Sequence, residues 1–115
     1  MKNITFKIEI TDKEEIETFY SILVLGCITA IREGLMNWDQ AEERLFGPNT
    51  LAKIENLSLH STLIEITSQG MMEMSLLQRL NAIHYEKSLD EIEKLLRTFL
   101  IEQKITEGTW KHWIK

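Results

Sequence analysis

The sequence predicts a mainly α-helical single domain. We expect a compact bundle of about five helices around a central apolar helix at residues 12–34, with a small β element from an N-terminal strand at residues 3–10. Three observations carry this reading. Residues 18–31 read TFYSILVLGCITAI and hold no charge. At 115 residues, 43% hydrophobic and 27% charged, the chain has the size and composition of one globular domain that can bury a core without disulfides or metals. With one proline and five glycines, little interrupts its helices.

The central helix has signals at both ends. Asp12 is a cap residue, and Glu15 three positions on completes a capping-box pattern. Gly34 can end the helix in the left-handed conformation. A helix that is apolar on nearly every face calls for burial on every face, in its own core or in a subunit interface. Gly26 lies mid-helix, where glycine costs about 1 kcal/mol relative to alanine. With Cys27, Thr29 and Ala30 also small, it points to a close helix crossing, or else to a cavity for a small molecule. Cys27 is the single cysteine, so no intrachain disulfide forms; it reads as a small core residue in a reduced, cytoplasmic setting. The uncharged stretch spans only about 21 Å as a helix, short of the ~30 Å of a bilayer core, so no membrane crossing is expected. MKNITFKIEI also lacks the apolar run of a signal peptide.

Ahead of that helix, Ile4, Phe6, Ile8 and Ile10 alternate with polar residues, the period of a half-buried strand. Its backbone needs a partner. That partner is either the C-terminal TWKHWI, residues 109–114, or the same strand of a second subunit. After it, Asn37 and Gln40 form a weaker capping box before a short helix in which Trp38, Ala41 and Leu45 share a face. Gly47 and Pro48 stop that helix, and Asn49 can cap the next, where Leu51, Ile54 and Leu57 recur every three residues. Residues 59–68 suit a helix or a β-branched strand; the helical neighbours favour helix, ending at Gly70. Met71, Met74, Leu77 and Leu80 mark a further helix face. Ser88 and Glu91 form a capping box that opens a last helix, running to about Lys104 and packing on the first. Its stripe is Leu89, Ile92, Leu95, Leu96, Phe99 and Leu100.

Chemistry-bearing patterns are sparse. His60, His84 and His112 have no metal-ligand spacing, and no nucleophile motif, phosphate-cradling loop or dinucleotide fingerprint occurs. No catalytic residue, cofactor or metal is therefore expected. The net charge of −5 argues against nucleic acid as a partner. The helix–Gly-Pro-Asn–helix outline of residues 38–57 offers only Lys53 to DNA. Acids crowd the stretch from Glu9 to Glu43, and the tail from Lys104 is mildly basic. Asp39, Glu42 and Glu43 are the candidate surface for a basic protein. Trp110 and Trp113 are the other candidate interface residues, unless they close the domain's own core.

GLMNWDQAEERLFGPNTL, followed by LIEITSQGMMEMSLLQRL and SLDEIEKLL, resembles a family of small uncharacterised proteins of Gram-positive bacteria. The shared pattern falls on Gly34, Met36, Asp39, Ala41, Glu42, Leu45, Phe46 and Pro48; Met71, Met72 and Met74 stand where acids are commoner. The resemblance implies a cytoplasmic, mostly helical domain without an established activity. Some similar small acidic proteins are immunity or antitoxin partners. The functional expectation is thus a protein-binding module, of the immunity-inhibitor type toward a basic partner. The alternatives are a structural or regulatory homodimer, and a small-molecule binder with a cavity near Gly26.

Overall fold

The computed structural model describes residues 2–105 and 112–115. Helix α1 spans Lys13–Arg32, α2 Trp38–Leu45, α3 Pro48–Asn56 and α4 Ser61–Gln69. A π-helical turn, Gly70–Met74, joins α4 to α5, Ser75–Leu80, and α6 runs Ala82–Gln103. With the π turn continuous between α4 and α5, the bundle has the five-rod layout expected. No helix among the described residues is long and apolar enough to cross a membrane.

The ends of α1 follow the local signals. The Asp12 carboxylate accepts from the backbone N–H groups of Glu14 at 2.9 Å and Glu15 at 3.4 Å. Gly34 takes φ +75°, and Leu35 and Gly34 donate back to the carbonyls of Ala30 and Ile31. That pair of bonds satisfies the last orphan carbonyls of the helix. On α2 the reciprocal capping box forms, with Asn37 Oδ1 and Gln40 Oε1 each accepting at 2.9 Å. Gly47, not Asn49, precedes α3, and Pro48 takes its first position, where a missing N–H costs nothing.

The core is one cluster in which α1 packs chiefly on α6. Val24 and Ile28 of α1 meet the fully buried Leu89, Ile92 and Leu96 of α6, with Leu63 and Ile66 of α4 closing the layer. Each such side chain contributes about 1.5–3 kcal/mol of burial. Leu95 and Leu100 of the expected α6 stripe lie at its rim. Buried polar groups are paired. The Tyr20 hydroxyl donates to Thr67 Oγ1 at 2.7 Å, because the Thr67 hydroxyl is itself donating to the Leu63 carbonyl at 2.8 Å. Burial pushes the Tyr20 phenol up to about 12. Glu17, also buried, accepts the His60 N–H at 2.5 Å and the Gln103 amide at 3.5 Å, tying α1 to the start of α4 and the end of α6.

Four expectations are corrected. Gly70 does not break its helix: the backbone stays helical and widens into the π turn. Its dihedrals are ordinary, so the glycine is needed for space. A Cβ there would lie 3.1 Å from the Trp38 ring and 3.4 Å from Phe46. Trp38 stacks on Phe46 at 5.2 Å and donates from Nε1 to the Gly70 carbonyl at 3.0 Å. That carbonyl lies at the first residue of the π turn. Second, Ser88 lies inside α6, and the cap is Asn81, whose side chain accepts from the His84 N–H at 3.1 Å. The S-x-x-E spacing also arises within helices, where it caps nothing.

Third, no strand of residues 3–10 forms among the described residues. The chain ends meet in one antiparallel bridge, Ile8 with Ile114, held by Glu9 N–H to the Trp113 carbonyl at 2.8 Å and Lys115 N–H to the Lys7 carbonyl at 3.0 Å. Ile4 and Phe6 remain 94% and 69% exposed, because no sheet lies behind them. Fourth, α1 is not buried all round. Ile22 and Leu23 are 44% and 36% exposed, and Gly26 and Thr29 are open to solvent. The other helices supply enough surface for only one side of it.

Gly70→Ala should destabilise the fold by about 1–3 kcal/mol through overpacking on Trp38. Trp38→Ala should cost about 3–5 kcal/mol through the cavity it leaves. Urea unfolding monitored by circular dichroism measures both.

Candidate functional site

The acids singled out in the sequence sit together on α2 but are not equally available. Asp39, in the first turn of α2, accepts from the Ser75 hydroxyl, from Arg79 at 3.3 Å and from the Gln78 amide at 3.5 Å. The Ser75 hydrogen bond, aided by the Arg79 charge, holds its carboxyl below the usual carboxylate range. Asp39 thus fastens α2 to α5. Glu42 is half-buried, and the exposed Glu43 lies 3.8 Å from Arg44. Gln78 completes this junction by accepting the Trp38 backbone N–H at 2.7 Å.

The tryptophans lie elsewhere. Trp113 is half-buried against the N-terminal half of α1, edge-on to Phe19 with ring centres 5.3 Å apart, and its Nε1 donates to Glu15 at 3.4 Å. Glu15 therefore serves Trp113 rather than completing the capping box. Trp110 lies outside the described residues.

No cluster of His, Cys, Asp and Glu suited to a metal occurs among the described residues. His60 Nδ1 accepts the Thr62 N–H at 3.1 Å while the ring stands edge-on to Phe99. Burial pushes the Cys27 thiol up, away from the thiolate that a nucleophile requires.

What the molecule does present is an apolar surface on α1. At 100° per residue, Phe19, Ile22, Leu23, Gly26 and Ala30 fall on one face of the helix. Gly26 is at its middle, and a Cβ placed there meets nothing within 4 Å. Among the described residues no helix crosses at this glycine and no internal cavity opens beside it. Phe19 continues this face into a shallow groove of about 450 Å³, walled by Ile16 and Tyr20 of α1 and by Ile54, Leu57 and Leu59, with Lys53 at its rim. The repeat of Ile54 and Leu57 was visible in the sequence. That they would wall a groove with α1 was not, because the angle of α3 is set by tertiary packing. An apolar helix face beside an apolar groove can expel water against another surface. Lys53 is the charged side chain that lines the groove among the described residues.

Stability should respond to acid through Asp39. Its carboxyl is depressed in the folded chain, so its contribution is fully present above the unfolded value near 4 and is lost as pH falls through the folded value. Asp39→Asn should lower stability at pH 7 and flatten its fall below pH 4. Urea titrations at a series of pH values give both readouts.

A family model matches residues 11–115: DUF3969, described as a protein of unknown function. No curated protein and no solved structure matches the chain. The match covers α1 through α6 with the C-terminal segment that packs on Phe19, so the chain belongs to the DUF3969 family.

Proposed function

We propose that the chain is a protein-binding module that works through the open face of α1. One observation carries this reading. Ile22 and Leu23 stand partly in water in the middle of the longest uncharged stretch, around a glycine whose Cβ position is open among the described residues. Stability alone favours a polar residue at an exposed position and alanine over glycine there, by about 1 kcal/mol. A face that forgoes both gains is suited to being covered. The groove beside Phe19 extends the same apolar surface.

This reading moves the binding surface away from Asp39, whose carboxylate is engaged by Ser75, Gln78 and Arg79. The test is a photo-crosslinking residue placed at Leu23 in producing cells, with the exposed Glu65 of α4 as control. A discrete higher-mass adduct from position 23, absent from position 65, is expected. No adduct from position 23 would end the reading.

A further inference from the structure

We infer that the occupant of the α1 face is a second copy of this chain, with the two α1 helices antiparallel about a two-fold axis at Gly26. The inference rests on the protein-binding reading above and names its partner. The open face is self-complementary in size. An antiparallel crossing centred on Gly26 brings the two glycines together and sets Ile22 against Ala30 and Leu23 against Thr29. Each large side chain then meets a small one, twice over. The Thr29 hydroxyl is turned back onto the Leu25 carbonyl at 3.2 Å, so it makes no polar demand on a partner. Helices that approach without a side chain at the crossing can pack closely, and Gly26 has open space above it.

Charge selects the same geometry. The face is uncharged between Glu15 and Glu33, while the whole chain carries −5. Two such molecules repel at long range, and contact through an uncharged surface adds no close like-charge pair to that repulsion. A parallel pair would set Glu33 on its own mate. The antiparallel pair holds the two Glu33 carboxylates about 20 Å apart, at ~1.5 Å per residue from the central glycine. Each then lies level with Phe19 of the other copy, where Trp113 walls the end of the face. One helix pair buries less than the ~800 Å² per partner of a standard interface, so the dimer is weak and depends on concentration.

Sedimentation of the purified full-length chain, from a few to several hundred micromolar, tests this. A monomer–dimer equilibrium is expected. Leu23→Arg should abolish it, with an unchanged circular dichroism spectrum. Gly26→Ala should raise the unfolding midpoint of the dilute chain by about 4 °C, through helix propensity, while weakening the dimer at least tenfold. In a Cys27→Ser background, chains carrying Ile22→Cys and Ala30→Cys should oxidise to a mixed disulfide with each other, and neither to itself. A chain monomeric at every concentration, a dimer indifferent to Leu23→Arg and Gly26→Ala, or an Ile22→Cys homodisulfide would each overturn the inference. Monomeric protein whose position 23 still crosslinks to a different protein in cells would sink the second copy and leave the module standing.

Discussion

The fold depends on one constraint: a helix uncharged along its middle must find apolar cover, and this chain has cover for only half of its circumference. Tyr20, Val24 and Ile28 are buried on the inner side, against the stripe of α6 and the inner face of α4. Around this seam the polar ties are placed where they complete burial rather than compete with it. Glu17 satisfies the start of α4, and Tyr20 joins a chain of hydroxyls ending on a helix carbonyl. Arg32 reaches Asp90 at 2.5 Å and Glu93 at 3.7 Å, fixing the exposed end of the α1–α6 pair. Such surface pairs are worth little alone, about 0–1 kcal/mol, so they orient rather than stabilise.

A second seam, between α2 and the α4–α5 rod, shows how a defect in one helix becomes the fixing point of another. The Gly70 carbonyl opens the π turn, and Trp38 donates to it while lying flat on Phe46. A Cβ at Gly70 would press on that ring at 3.1 Å. Asp39 and Gln78 bind the same two rods from outside. Much of the pattern Gly34, Met36, Asp39, Ala41, Glu42, Leu45, Phe46 and Pro48 is thereby accounted for as structure. Gly34 turns the chain, Asp39 ties α2 to α5, Ala41 and Phe46 are buried, and Pro48 starts α3.

The outer side of α1 has the opposite character. Its apolar residues are not needed by the core and its glycine is not needed by the fold, yet they occupy one contiguous face that runs into the groove beside α3. Large Ile22 and Leu23 lie towards one end of that face, small Thr29 and Ala30 towards the other, and Glu15 and Glu33 close it.

The sequence by itself determined the local events: the caps at Asp12 and Asn37, the stop at Gly34, and the α6 stripe from Leu89 to Phe99. These follow from backbone bonds and periodicities that span a few residues. It misplaced what depends on distant partners. The S-x-x-E at Ser88 capped nothing, the alternation of residues 4–10 found no sheet, and Gly70 served a ring 32 positions earlier in the chain. Only the tertiary structure decided which half of α1 is covered. An uncharged helix reads the same on all sides, and the side left in water is fixed by how much surface the remaining elements can bring to it.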